Sequence, residues 1–364
     1  MSDQKETGHL ALYRKYRPDS FKDVLGQEEI VQSLKGALKQ GAVSHAYLFY
    51  GSRGTGKTSV ARIFARELGT SPNDLYEIDA ASNTGVDDIR NLNESVNTLP
   101  FESKYKVYIL DEAHMLSKSA FNALLKTLEE PPKHVIFILA TTELSKLPET
   151  VVSRCQVFSF KKPSQKILKD VVLNISKKEG YTLESSSADL IALLGEGSFR
   201  DTQGILEKII SASGDKKISV SEVEVITGAP KGELVNAFIG AVEEGNVEAG
   251  MKAVKKATDN NIDMKVFLKL VLRKLRFVLL LKYAPDMETV IKNELSEADH
   301  FFLKELSKKT NLGISSATLL EFLNVHDWVG HTTIAELPIE LALIKLAETK
   351  KGNNTADKAQ KSNS

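Results

Sequence analysis

A single cysteine, Cys155, stands among 364 residues. The chain can therefore build neither an internal disulfide nor a multi-cysteine zinc site, and a reducing cytoplasm is the expected compartment. Net charge is missing too, because 48 lysines and arginines balance 48 aspartates and glutamates. With no overall field to attract a polyanion, any contact with nucleic acid has to come from a local basic patch. Long apolar runs are also absent. The greasiest stretch, from Val266 to Leu281, is interrupted by Lys269, Arg273, Lys274 and Arg276, which fits a buried helix rather than a membrane span. The opening, from Met1 to His9, has no apolar h-region, so no secretory signal is expected. The composition is 42% hydrophobic and 26% charged, the balance of a soluble globular protein long enough for two or three domains.

From about Ala46 to Phe160, short β-rich runs alternate with helical patterns. The runs are Ala46–Tyr50, Leu75–Asp79, Lys106–Leu110, Val135–Ala140 and Gln156–Phe160, and the helical segments between them include Thr58–Leu68, Asp87–Asn97 and Ser119–Glu129. This alternation predicts a parallel five-stranded sheet with helices on both faces and right-handed crossovers. Beyond Pro163 the strand signal fades into Ser164–Glu179, Ser185–Leu194 and Arg200–Ser211, the pattern of a small helical domain with glycine-containing turns. A break at Gly228–Gly232 opens an almost wholly helical region to Glu348, with Leu234, Phe238 and Val242 at spacing four and Pro338 suited to the first position of the last helix. The expected organisation is thus 1–162 nucleotide-binding, 163–227 helical, 228–348 helical, and a polar tail, 349–364, expected to be disordered.

The most specific local signal is Gly51-Ser52-Arg53-Gly54-Thr55-Gly56-Lys57-Thr58, which matches G-x-x-x-x-G-K-[ST] between an apolar strand and a helix. Its glycines let backbone N–H groups curl around phosphates at the positive end of the helix dipole. Lys57 is suited to neutralise β and γ oxygens, the Thr58 hydroxyl to ligate magnesium, and Ser59 to complete the binding segment. A second metal-side carboxylate has to come from a neighbouring strand. Val107-Tyr108-Ile109-Leu110-Asp111-Glu112 supplies it at the carboxyl end, where open parallel sheets bind ligands. Asp111 is expected at the magnesium and Glu112 as the base that polarises the attacking water. Together these residues predict a P-loop nucleoside triphosphatase.

Several further residues admit two readings. His114, in Asp111-Glu112-Ala113-His114, spells the box of some helicases but has no other helicase motif around it, so it reads as a helix-start residue. Thr141 and Thr142 end a core strand, where a hydroxyl can sense a γ-phosphate or orient water; equally, such threonines form turns and cap helices. Arg154, at a domain edge, is either a finger completing a neighbour's site, worth about 10³–10⁵ in rate where such fingers operate, or part of a surface ion pair contributing at most about 1 kcal/mol. Arg200, opening a helix, either reaches the γ-phosphate or pairs with an acid at its own helix start.

Taken together the motifs resemble the clamp-loader branch of the AAA+ ATPases. The resemblance rests on Tyr13-Arg14-Lys15-Tyr16-Arg17-Pro18 and Phe21–Gln27, the phosphate loop, Glu77–Ser82, Asp111–Leu116, Phe121–Pro132, Ser153-Arg154-Cys155 and Gly197–Asp201. It spans roughly residues 10 to 348, and Phe121–Pro132 is its most family-specific part. It implies an AAA+ fold in which the first helical domain is a lid and the second a collar that joins subunits into a ring. Arg17 and Pro18 would lie near the nucleotide base, Thr142 would be sensor 1, Arg154 the trans-acting finger and Arg200 sensor 2. The implied ligands are ATP and Mg2+. The implied partners are delta and delta-prime type subunits, further copies of the chain, a sliding clamp, and primer–template DNA held through its phosphates inside the ring. Arg90 is a candidate phosphate contact or a solvated helix arginine.

Two departures from the family stand out. Bacterial members carry a four-cysteine zinc module after the phosphate-loop helix, whereas here Glu67–Asp74 runs almost directly into Leu75–Ile78, so no zinc is expected. Positions often basic in relatives are Asn83 and Gly85. With little sequence beyond the collar region, a short form of the family is expected. Three rivals remain: another AAA+ DNA-processing motor, a non-hydrolysing structural subunit of the same ring, which the intact Lys57, Thr58, Asp111 and Glu112 disfavour, and a nucleotide kinase, which leaves Arg154 and the helical regions unexplained.

Overall fold

Successive side chains along the buried central strands point to opposite sides and so define two helix-covered faces. In the computed structural model, which describes residues 10–82, 86–292 and 294–361 (for 86–88, 90 and 350–361 the backbone alone), five strands form one parallel sheet. They are β1 (Ala46–Tyr50), β2 (Leu75–Asp79), β3 (Lys106–Asp111), β4 (Val135–Thr141) and β5 (Gln156–Ser159), in the order β2-β3-β4-β1-β5. Tyr47, Phe49, Val107, Ile109, Ile136 and Ile138 point to one face. They meet Val60, Ile63 and Phe64 of the helix Lys57–Glu67 and Ile30, Val31 and Leu34 of the helix Glu28–Gln40. The residues between them, Leu48, Tyr108, Leu110, Phe137 and Leu139, turn the other way, onto Ile89, Leu92 and Val96 of Val86–Val96 and Phe121, Leu124 and Leu128 of Lys118–Glu129. The period of two in a strand and about 3.6 in a helix makes both faces apolar at once.

Register carries this layering across strands. Tyr76, Tyr108 and Phe137 are direct neighbours on β2, β3 and β4, and their rings stack at 4.9 and 5.5 Å between centroids. Aromatic pairs of this kind add about 0.5–1.5 kcal/mol each beyond the area they bury.

The strands and the helices between them lie within a residue or two of their expected bounds. The helix Glu28–Gln40 and the short turn Leu12–Lys15 precede the expected alternation, and a two-residue parallel ladder, Thr182–Leu183 with Lys217–Ile218, lies where no strand was expected. Asn83, Gly85 and the side chain of Arg90 fall outside what the structure describes.

Contacts divide the chain into two units: residues up to Val171 with Gly195–Glu207, and Val172–Leu194 with the chain from Lys208 onward. The second unit is helical, built on Gly232–Glu244, Val247–Asp259, Met264–Tyr283, Glu297–Ser307, Ser316–His326 and Leu337–Lys361. Its core includes Phe238 edge-on to both Phe267 and Phe322, at 5.4 and 5.6 Å. Two of the cations that interrupt the apolar run, Arg273 and Lys274, are paired internally. Lys274 Nζ donates to Asp299 Oδ1 (2.6 Å) and Asn236 Oδ1 (2.8 Å), and Arg273 pairs with Asp189 and Glu294. Burial lowers the pKa of Lys274 while Asp299 opposes that shift. No helix among the described residues is long and apolar enough to cross a membrane. The last helix runs to Lys361, into the stretch whose composition suggested a disordered tail.

The link that stands where relatives were expected to carry a cysteine module is short. The helix Lys57–Glu67 is closed by Gly69 at φ +78, with Thr70 N–H donating to the Ala65 carbonyl (3.1 Å), a glycine-capped helix end. A single turn, Pro72–Asp74, then feeds β2. Asp74 is buried, and its carboxylate accepts from the N–H groups of Phe101, Glu102 and Ser103 at 2.6, 2.9 and 2.8 Å, pinning the loop before β3. Burial pushes this carboxyl upward, but the amides and the Ser103 hydroxyl outweigh it and hold the pKa well below the usual carboxylate range. A depressed folded-state pKa stabilises the fold above the unfolded value, near pH 4, and that contribution is lost as pH falls below it. Asp74→Ala, which removes the acceptor of three part-buried amides, is expected to cost about 1–3 kcal/mol, measured by urea unfolding at pH 7. The difference from wild type should shrink between about pH 4 and pH 2.

Candidate active site

The parallel register brings three chain segments to one edge of the sheet. Tyr50 lies opposite Thr141, and Leu110 opposite Leu139. The phosphate loop after β1, Asp111 at the end of β3 and Thr141–Thr142 at the end of β4 therefore emerge at the same level. Gly51 N–H donates to the Thr141 carbonyl (3.2 Å), joining loop and strand end directly.

The loop's carbonyls are held by its own neighbourhood. Lys57 Nζ donates to the carbonyls of Gly51 (2.8 Å) and Ser52 (2.9 Å), Thr55 Oγ1 donates to Ser52 (2.9 Å), and Phe199 N–H donates to Gly54 (2.9 Å). None of the amide N–H groups from Arg53 to Thr58 meets an acceptor among the described residues. Carbonyls bound outward and amides left open make an anion cradle at the first turn of the helix Lys57–Glu67. Gly56, at φ +100, has open space around the position of a Cβ, so glycine is required there for its backbone angle. Gly54 is constrained differently, since a Cβ would collide with Ser198.

On the metal side, Thr58 Oγ1 donates to Asp111 Oδ2 (2.7 Å), so the two expected magnesium ligands are already in contact. Lys57 is buried, which lowers its pKa against the opposing pull of Glu112 and Asp111. Glu112 follows β3 in a left-handed conformation, φ +49, unusual for a residue with a side chain. Its Oε2 lies 3.4 Å from Thr142 Oγ1. The two threonines divide the readings between them. Thr141 Oγ1 accepts Glu143 N–H (3.1 Å) and shapes the turn, while the Thr142 hydroxyl faces Glu112.

Arg17 is half-buried and within electrostatic reach of Arg62, Glu77 and Asp111; burial, then Arg62, lowers its pKa against the pull of the two acids. Pro18, next to it, is partly buried. Arg62 makes a two-pronged pair with Glu77 at 2.6 Å on each prong. Two of the expected residues do not reach the loop. Arg200 lies over the Tyr13 ring, 5.0 Å from its centroid. Arg154 pairs with Glu129 Oε1 (2.6 Å) and donates to the Thr150 carbonyl (2.7 Å), the surface arrangement weighed against the finger reading. Reasoning from sequence also missed two features. His114 does lie in the first turn of a short helix, Ala113–Met115, and its side chain, only 8% exposed, also sits against Glu112, Thr141 and Glu143. Ser198 and Phe199 touch Gly54; the sequence signal was the short Gly197–Asp201 motif, whose contact needs the folded chain.

A family profile described as DNA polymerase III, delta subunit, matches residues 26–81 and 69–164. The chain is 38% identical over 366 residues to DNA polymerase III subunit tau of Bacillus subtilis, covering 94% of this chain and 64% of that protein. It is 36% identical over 298 residues to DNA polymerase III subunit gamma of Buchnera aphidicola, covering 76% of this chain and 80% of that protein. Against the first three relatives the chain spans 64%, 58% and 46% of their length. Among solved structures it resembles the Thermotoga maritima RuvB Holliday junction branch migration motor, with a TM-score of 0.50, 21% identity, and coverage of 63% of this chain and 80% of that one. That likeness supports the AAA+ fold and nothing finer.

Proposed function

This chain belongs to the DNA polymerase III gamma/tau family, and from that premise we propose that it is the ATP-hydrolysing motor subunit of a clamp loader, which loads a sliding clamp onto primed DNA during replication. The observation that carries the proposal is the Thr58–Asp111 hydrogen bond beside the open amides of Arg53–Thr58. It puts a hydroxyl and a carboxylate at one point, next to a cradle for polyphosphate, on an AAA+ scaffold. A donor set of one hydroxyl and one carboxylate fits magnesium, a hard cation that prefers oxygen.

In this reading Gly51–Ser59 wraps the phosphates, and Lys57 exchanges its bonds to the Gly51 and Ser52 carbonyls for the β and γ oxygens. Magnesium, held by Thr58 and Asp111, would neutralise charge on those oxygens. Glu112 accepts the proton of the attacking water, and Thr142 holds that carboxylate or the γ-phosphate in place. Arg17 and Pro18 flank the base. Arg200 leaves Tyr13 to act as sensor 2; a cation over an exposed ring contributes only about 0.5–1 kcal/mol, so the move is cheap. Arg154 acts in trans on a neighbouring subunit. Its pair with Glu129 is partly exposed, and such pairs contribute at most about 1 kcal/mol, so it is readily recruited.

The remaining calls belong to the same proposal. The chain divides functionally into an ATPase domain to residue 162, a lid to 227 and a collar to 348, works in the cytoplasm, and sits in a ring with delta-type and delta-prime-type subunits and further copies of itself. DNA is gripped through its phosphates inside that ring.

ATP turnover is expected to rise when clamp, partner subunits and primed DNA are all present; a mixture that leaves turnover at the basal rate would sink the clamp-loader reading. Lys57→Ala should abolish nucleotide binding, measured by calorimetric titration with ATP. Arg154→Ala should leave ATP affinity within about twofold but slow hydrolysis about 10³-fold in the assembled ring. Equal slowing in the isolated subunit would contradict action in trans.

A further inference from the structure

Glu112 is the group on which the proposed hydrolysis depends, and its own backbone does little to aim it. It sits at φ +49 between a strand end and the short turn Ala113–Met115. A carboxylate in that position needs donors from elsewhere. Thr142 Oγ1 at 3.4 Å and His114 Nδ1 at 3.6 Å approach the same oxygen, Oε2, with Lys57 also within electrostatic reach.

His114 is fixed from three sides. Nδ1 lies 3.0 Å from Thr141 Oγ1, Nε2 lies 3.5 Å from Glu143 Oε1, and the ring is almost fully buried. Glu143 has another cation, because Lys146 Nζ reaches the same Oε1 at 2.9 Å. Thr141 Oγ1 takes Glu143 N–H on one lone pair and keeps a second for another donor. Nδ1 is thus the nitrogen that faces both Thr141 and Glu112, and Nε2 the one that faces Glu143. Thr141 is the last residue of β4 and binds Gly51 N–H through its carbonyl. Thr141 thus touches the phosphate loop through its backbone and His114 through its side chain.

We infer that His114 is a positioning residue for Glu112. Its Nδ1 stands between the Thr141 hydroxyl (3.0 Å) and the Glu112 carboxylate (3.6 Å), so the end of β4, which contacts the phosphate loop, sets where the ring, and with it that carboxylate, is held. The inference rests on the proposed ATPase function, and it assigns His114 a task the sequence pattern alone did not. The groups that face the ring are Glu112, Thr141 and Glu143, with Lys146 acting through Glu143.

The choice of nitrogen makes the inference testable. In His114→Asn the side-chain amide branches from Cγ, as Nδ1 does; in His114→Gln it sits one carbon further out, nearer the place of Nε2. ATP turnover and ATP affinity are measured for wild type, H114A, H114N and H114Q as full chains in the assembly with partner subunits, clamp and primed DNA, with each variant's thermal midpoint recorded. H114A should lower kcat about tenfold to a hundredfold while ATP affinity stays within about twofold of wild type. H114N should recover most of the loss, and H114Q should not. Unchanged turnover in H114A, equal recovery by H114Q, no recovery by H114N, or an affinity that falls in step with kcat would each overturn the inference. Should H114A fail to fold, the H114N and H114Q pair decides it alone. A wild type that shows no turnover in the full mixture would overturn the function itself, an outcome separate from a fast H114A.

Discussion

The hydrogen bond from Thr58 Oγ1 to Asp111 Oδ2 ties the start of one helix to the end of a strand that is not its neighbour. Between β1, which feeds the phosphate loop, and β3, which carries Asp111, lies β4. For the bond to close at 2.7 Å, all three central strands must end at the same height. That is the consequence of the registers Tyr50 with Thr141 and Leu110 with Leu139. A slip of one residue would exchange the two faces of a strand and pack each apolar set against the wrong layer. The two hydrophobic layers that hold register are therefore also what aligns the site.

The phosphate loop depends on the same scaffold in another way. Its carbonyls are bound to Lys57, Thr55 and Phe199, and its amides stay open. Much of the ordering cost of binding a polyanion is thereby met before any ligand arrives. Lys57 is held by burial among groups that compensate it, with Asp111 and Glu112 within electrostatic reach. An ammonium so placed is oriented by the protein rather than by water, which is the condition for effective electrostatic stabilisation.

The acidic side of the site shows how a residue's chemistry comes from its neighbours. Asp111 and Glu112 are adjacent in sequence, yet one meets Thr58 and the other meets Thr142 and His114. The reversal at Glu112, φ +49, sends the two side chains to different partners. Two carboxylates in one short segment can thus hold separate tasks, as the proposed mechanism requires.

Much of the sheet and of the phosphate site was legible in the sequence, because both rest on local patterns. Continuous apolar runs marked β1, β3 and β4, helical periodicity marked their covering helices, and the glycine spacing of Gly51–Thr58 marked the loop. The N-terminal helix Glu28–Gln40 was missed, since it lies outside the alternation that identified the sheet. His114 was undervalued for a physical reason: its partners Thr141 and Glu143 lie on β4 and the turn after it, brought to it only by strand pairing. The sequence by itself determined which residues form strands, which loop can cradle phosphates and which acids end a buried strand, because backbone propensity and hydrophobic period are properties of neighbours in the chain. Only the tertiary structure decided that Arg154 rests on Glu129, that Arg200 rests on Tyr13, that Ser198 closes against Gly54 and that His114 stands against Thr141. Those choices are made by distances between residues far apart in sequence, and such distances exist only once the core has fixed the strands in register.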